Sequence, residues 1–169
     1  MTLAQKLTTA PDHPRVAALI AAYARADAAM RDLPIYNPAL SVAAYGFAPL
    51  TGEGLDGEGL IGVLITPWFM NLVLLPEAMQ PYDPARSSGS RKVVLPGGAR
   101  AFRQAGDATL GTIWTASLHS PMEVFKSQPQ ALAEARLRLA EALTPPEPDR
   151  NAPTCPSRRA FFRAGRLAH

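Results

Sequence analysis

GLIGVLITPWFMNLVLLP, residues 59–76, is the most apolar stretch of the chain. Leu60–Ile65 and Leu72–Leu75 are continuous runs of Ile, Val and Leu with one glycine. Each has the length of a strand, and neither alternates with polar residues, the pattern of strands covered on both faces. Between them lies Thr66-Pro67-Trp68-Phe69-Met70-Asn71. Pro67 has no amide hydrogen to give a ladder, so it marks an edge, bulge or turn. The stretch therefore reads as two central strands, or one bulged strand, with Trp68, Phe69 and Met70 at the break. Large apolar side chains beside an interruption form either a corner of the core or a binding surface.

Outward from this centre, the elements alternate in type. Before it, Pro14 suits a first helical turn. Val16, Leu19, Ile20 and Tyr23 then recur at helical spacing, so one amphipathic helix runs from Asp12 or His13 to about Arg31, stopping before Leu33-Pro34. Ile35-Tyr36-Asn37-Pro38 reads as an extended connector and Ser41–Phe47 as a strand. The acidic, glycine-rich residues 51–58 lack the ligand spacing of a calcium loop and read as a hairpin tip.

After the centre, Arg91–Leu95, Ala99–Gln104 and Leu110–Leu118 read as strands, with turns at Pro96-Gly97-Gly98 and Gly106-Asp107. Leu110, Thr112, Trp114, Ala116 and Leu118 are expected on one face. Ser120-Pro121-Met122-Glu123 has the pattern of a capping box opening a short helix, docked by Val124 and Phe125. A second box at Ser127–Gln130 opens a helix over Ala131–Leu143, with Leu132, Ala135, Leu139, Ala140 and Leu143 as its apolar stripe. These elements make one α+β domain over 13–143: an antiparallel β-sheet of five to six strands between an N-terminal helix and a C-terminal helical segment. Residues 1–12 are a polar lead-in. Residues 144–169 are a proline-rich linker and basic tail.

Length and composition fit a globular domain: 169 residues, 47% hydrophobic, with 17 prolines and 12 glycines marking frequent turns. The net charge of +3 conceals an asymmetry. Arg150, Arg158, Arg159, Arg163 and Arg166 follow Asp149 with no acid among them, and without those five the remainder carries −2. A body of that charge is not expected to bind nucleic acid. The first residues lack the apolar core of a secretory signal. The central apolar stretch is too short, and too interrupted by Pro67 and Asn71, to span a membrane.

No catalytic or metal constellation emerges. His13, His119 and His169 are scattered; Ser117, His119 and Ser120 lack a nucleophile elbow; Cys155 is the sole cysteine, consistent with a reducing cytoplasm. A small enzyme with an unidentified site is the lower alternative. The tail is more specific. Ser157-Arg158-Arg159-Ala160-Phe161-Phe162-Arg163 resembles the S-R-R-x-F-L-K motif of twin-arginine (Tat) export signals, yet only six residues follow, too few for the rest of a signal. It is either a solubilising basic tail or a look-alike that engages a client or a signal-receiving site. Paired arginines with a phenylalanine suit acidic or aromatic surfaces.

ITPWFMNLVLLP, together with SLHSPMEVF at residues 117–125, resembles the HybE family of [NiFe]-hydrogenase assembly chaperones, the group that includes HupJ-like and HoxT-like accessory proteins. The likeness extends over roughly Pro38 to Leu143. It implies a cytoplasmic chaperone without catalytic activity or cofactor. The implied partner is a [NiFe]-hydrogenase precursor subunit, the small subunit with its twin-arginine signal being favoured over the large, and other hydrogenase accessory proteins are further candidates. The implied action is to delay export until cofactors are in place; an accessory role in iron–sulfur maturation of the small subunit under oxygen is the alternative. Some family sequences carry a cysteine where this chain has Ala116. With that resemblance, the expected partner-binding residues are Trp68, Phe69, Met70, Met122 and Phe125 as an apolar surface, and Arg158, Arg159 and Phe161 in the tail. The competing expectation places all five of the first group in the core.

Overall fold

The computed structural model describes residues 13–50, 59–86 and 88–147. The lead-in, the acidic stretch 51–58, Cys155 and the basic tail lie outside the described residues.

The central stretch folds as a hairpin. Strands β2 (Gly59–Ile65) and β3 (Met70–Pro76) pair antiparallel from Gly59↔Pro76 to Ile65↔Met70. Each is almost wholly buried, as continuous apolar runs require. Thr66 builds the turn between them: its backbone N–H and its hydroxyl donate to the Phe69 carbonyl, and its Oγ1 accepts from the amides of Trp68 and Phe69. Pro67 sits in that turn, where its missing amide hydrogen costs the ladder nothing.

The other strands extend this pair into one six-stranded sheet. In chain order they are β1 (Ala43–Leu50), β4 (Ser90–Leu95), β5 (Gly98–Asp107) and β6 (Gly111–His119); across the sheet the order is β1-β2-β3-β6-β5-β4, every pair antiparallel. Helices α1 (Pro14–Met30) and α2 (Gln128–Leu143) lie on opposite faces. The fold is α+β with a single open sheet. On the α1 face, Val16 and Leu19 meet Leu60, Leu64, Val73, Leu75 and Ile113. On the α2 face, Ala131, Ala135, Leu139 and Ala142 meet Ile61, Val63, Ile65, Leu72 and Phe102. Three of those four helix residues are alanines, so the α2 axis rides close to the sheet.

Several local details differ from the sequence reading, each for an identifiable reason. The turn expected at Gly106-Asp107 falls at 108–110, because the Asp107 carboxylate accepts from the amides of Thr109 and Leu110 and so folds the chain after itself. Leu110 therefore precedes β6 and packs with the α1-side core, while Trp114, Ala116 and Leu118 pack on the other side. Ala140 faces water, and Ala131 and Ala142 complete the α2 stripe in its place. Helix α2 starts at Gln128, three residues before the expected start.

Glycines set two close approaches. Gly46, at φ 67, opens a bulge in β1, where the register shifts between Tyr45↔Val63 and Ala48↔Ile61. The bulge lays the Phe47 ring across Gly62, where an added Cβ would stand 2.4 Å from Phe47 Cδ2. Gly62→Ala is expected to lose about 1–3 kcal/mol of stability by overpacking. In a urea-unfolding double-mutant cycle, Phe47→Ala should cost less in the Gly62→Ala background than in the parent, because the two side chains contend for one space. Gly97, in the β4–β5 turn, donates its amide to the Ala142 carbonyl at 2.9 Å and so satisfies one orphan acceptor at the end of α2. A Cβ there would lie 1.9 Å from the Glu141 carbonyl oxygen. Arg15 fastens α1 to the sheet: its Nε donates to the Pro76 carbonyl and its Nη1 to the Leu110 carbonyl, and burial lowers its pKa.

Candidate functional site

The connector before β1, the β2–β3 turn and the segment after β6 meet at one end of the sheet, and Asn37 ties all three. Its backbone N–H donates to the Pro67 carbonyl at 2.8 Å. Its Nδ2 donates to the carbonyls of Met122 (2.9 Å) and Phe125 (2.8 Å), and its Oδ1 accepts from the Ala39 amide. The Gln128 side chain adds a second tie, accepting from Ser41 N and donating to Ser41 O.

These bonds explain why residues 120–125 are not helical. A helix would direct the Lys126 amide to the Met122 carbonyl. Instead that amide donates to Gln130 Oε1, while the Met122 carbonyl serves Asn37 and the Phe125 amide. The Ser120–Pro121 peptide is cis, and the segment is a series of turns. The expected capping box at Ser127–Gln130 is not made either: Ser127 is the N-cap residue of α2, but its side chain makes no capping bond, and Gln130 accepts from the Lys126 amide rather than that of Ser127.

Aromatic rings fill the space behind the β2–β3 turn. Trp68 stacks on Tyr36 at 6.4 Å and meets Phe69 edge-on at 5.8 Å; Phe69 in turn meets Tyr23 of α1 at 5.7 Å. The Tyr36 hydroxyl donates to Asp27 Oδ1, and Arg31 donates twice to Asp27 Oδ2. Of the residues expected to meet a partner, Trp68 is only 6% exposed, Met70 and Met122 are sealed in the core, Phe125 is buried and Phe69 half-buried. In this conformation Met70 and Met122 support the surface from beneath. Arg158, Arg159 and Phe161 lie outside the described residues.

Apart from Phe125, the surface above them belongs to residues that the sequence reading did not assign to the site. Pro34, Ile35, Tyr36, Pro38 and Ala39 face Pro121, Glu123, Phe125 and Lys126 across an open cleft of about 250 Å³. Beside it Ile35 is 43% exposed, Val124 63%, and Leu33 also faces water. A signal for this clasp was present: Asn followed by Pro favours a chain reversal over an extended connector.

His119 closes the α2 side. Its ring meets Phe125 edge-on at 5.2 Å, and Nε2, in the tautomer that carries its proton there, donates to Glu134 Oε1 at 2.8 Å. Arg138 Nε donates to the same oxygen at 2.7 Å and Nη1 to Glu141. The bonds from His119 and Arg138 hold the Glu134 carboxyl below its ordinary pKa. A depressed carboxylate contributes stability that is fully present above the unfolded-state pKa, about 4.3, and lost as pH falls through the lower folded value. Glu134→Gln is therefore expected to lower the urea midpoint at pH 7 and to differ progressively less from the parent as pH drops below about 4. Among the described residues no three His, Cys, Asp or Glu side chains group as a metal site.

The two segments that Asn37 joins are those that carry the family resemblance. The family model described as "[NiFe]-hydrogenase assembly, chaperone, HybE" matches residues 14–164. The chain belongs to the HybE family. The match is wider than the resemblance read from sequence; it takes in α1 and continues through Arg158–Arg163. Among similar proteins, the hydrogenase expression/formation protein HoxT of Azotobacter vinelandii is 44% identical over 151 residues, covering 86% of this chain and 92% of that protein. The hydrogenase expression/formation protein HupJ of Bradyrhizobium diazoefficiens is 37% identical over 144 residues, covering 82% and 80%. The solution structure of HybE from Escherichia coli superposes with a TM-score of 0.55 at 23% identity, covering 82% of this chain and 83% of that one, which establishes a shared HybE fold. This HybE-family chain is thus a hydrogenase assembly protein by kinship, and no helix among its described residues is long and apolar enough to cross a membrane.

Proposed function

We propose that the protein is a non-catalytic chaperone that binds a precursor subunit of an exported [NiFe] hydrogenase in the cytoplasm and delays its export until the cofactors are installed. The observation that carries this reading is the clasp at Asn37. It brings the 66–70 and 120–126 segments together beneath an uncovered rim of Leu33, Ile35 and Val124. The groups assembled there are mainly aliphatic, aromatic and amide, with Glu123 and Lys126 exposed on the wall. They offer contact area and hydrogen bonds to a chain rather than a proton-transfer pair to a small substrate. The favoured client is the small subunit, whose twin-arginine signal supplies basic and apolar side chains of the kind that suit the Leu33, Ile35 and Val124 rim and the Glu123 carboxylate. In this reading Trp68, Met70, Met122 and Phe125 hold the cleft in shape, and Phe69 and the rim make contact.

The decisive experiment is titration of the full-length protein with small-subunit precursor, with and without its signal peptide. Tight binding that requires the signal upholds export control. Equal binding of both forms moves the role to folding or cofactor insertion. Binding of neither form rejects the small subunit as client.

A further inference from the structure

The sheet has two edges, and they are finished differently. At one, β1 carries Pro49 and the bulge between Tyr45 and Ala48, both of which discourage a further strand. At the other, β4 pairs with β5 in unbroken register from Ser90↔Arg103 to Leu95↔Gly98, with no proline and no bulge. One step beyond, the Gln104 amide donates to the Gly89 carbonyl, which fixes the phase of this ladder. Bonded and non-bonded pairs alternate, so Arg91, Val93 and Leu95 turn their backbone groups to β5, while Ser90, Lys92 and Val94 turn theirs outward. Outside the ladder, no backbone bond among the described residues involves those three.

Positive charge surrounds this edge. Residues 84–106 hold Arg86, Arg91, Lys92, Arg100 and Arg103, and no Asp or Glu. Val93, Leu95 and Phe102 point into the core beneath α2, so Lys92, Val94 and Arg103 lie on the opposite face, where all three are exposed. No β4 residue joins the core beneath α1, so that helix leaves this face of the edge uncovered. Lys92, Arg100 and Arg103 form no ion pair among the described residues, and Arg91 lies over the Trp114 ring at 4.1 Å. Glu141, whose backbone packs against Gly97 in the β4–β5 turn, has its carboxylate bound by Arg138.

We infer that β4 receives an extended acidic segment of a partner protein as a further antiparallel strand, with alternate carboxylates directed to Lys92 and Arg103. The outward backbone groups supply the hydrogen bonds, and the cations select the charge. A second copy of this edge would set Arg91 and Lys92 against their own counterparts, like charge against like. The edge lies three strands from β3, about 14 Å from the hairpin that underlies the cleft. It is a second docking surface, and it does not depend on the chaperone reading.

The probe is a capped synthetic octapeptide of alternating threonine and glutamate, titrated into isotope-labelled full-length protein. At saturation, hydrogen exchange should slow at the Lys92 and Val94 amides and stay unchanged at Arg91 and Val93, which β5 already holds. A residue directly opposite Lys92 shares both its face and its backbone bonds. N-methylating the glutamates should therefore weaken binding about tenfold, and N-methylating the threonines should not. Val94→Pro deletes an outward amide and no ladder bond, so it should weaken binding about tenfold with the β6 amide shifts unchanged. Lys92→Glu with Arg103→Glu, both at exposed positions, should lose the glutamate peptide and gain its threonine–lysine counterpart. Absent binding overturns the inference. So does binding that shifts signals without the alternating protection, or that tolerates N-methylated glutamate, since charge attraction alone would do either. Protection of Lys92 and Val94 that arises without peptide and grows with protein concentration also overturns it, and assigns the edge to a second copy.

Discussion

Trp68→Ala is expected to lower the free energy of unfolding by about 3–5 kcal/mol, the range for removing a buried tryptophan. The indole is the hub of the aromatic group: it stacks on Tyr36 and abuts Phe69, which itself leans on Tyr23. Removing it leaves a cavity beside Tyr36 and Phe69, in a connector and turn tied by the Tyr36–Asp27 and Asn37–Pro67 hydrogen bonds, which oppose collapse into the gap. Urea unfolding followed by far-UV circular dichroism measures the loss. Phe69→Ala, at a half-buried position, should cost visibly less. A Trp68→Ala protein of near-parental stability that has lost its client would instead mean that the indole is displayed in solution.

Asn37→Ala is the second large effect. It removes both donors from the Met122 and Phe125 carbonyls and the acceptor from the Ala39 amide. The Met122 carbonyl keeps the Phe125 amide as a donor, whereas the Phe125 carbonyl is orphaned at roughly 1–3 kcal/mol; with two further hydrogen bonds lost, about 2–4 kcal/mol is expected in all. Hydrogen exchange should accelerate first at Phe125, Lys126 and Ala39, and later at the β2 and β3 amides. Asn37→Asp provides a chemical signature. An ionised carboxylate cannot donate to two carbonyls, so this variant should be no more stable than the alanine variant at pH 7. It should recover stability in acid, relative to the alanine variant, as the protonated carboxyl regains one donor.

The strands were legible because their signal is local. Leu60–Ile65 and Leu72–Leu75 read as covered strands, either two or one bulged, and the structure makes them two with Pro67 in the turn. The Val16–Leu19–Tyr23 spacing placed α1 to within a residue at its end. What escaped depends on partners far off in the chain. Ser120–Glu123 has every residue of a helix start, but the carbonyls that a helix would use are claimed by Asn37, over eighty positions away. Leu110 alternates correctly with Thr112 and Trp114, yet the Asp107 turn removes it from the strand. At the site, the sequence left two expectations for Trp68, Phe69, Met70, Met122 and Phe125, a binding surface or the core, and the structure buries all but Phe69. Trp68, Met70, Met122 and Phe125 were chosen as large and apolar, and those same properties put them under cover. Ile35 and Val124 were left exposed by the route of the chain around them, which no single residue discloses.

The alanine stripe of α2 has a consequence for the cleft. Ala131, Ala135 and Ala142 act as spacers of one methyl each, and they set the standoff between helix and sheet. One wall of the cleft, Pro121–Lys126, leads directly into that helix, while the opposite wall hangs on the connector to β1. The aperture of the cleft is therefore gauged by side chains that do not line it. Divergence among relatives at these three positions would retune the cleft while leaving its lining unchanged.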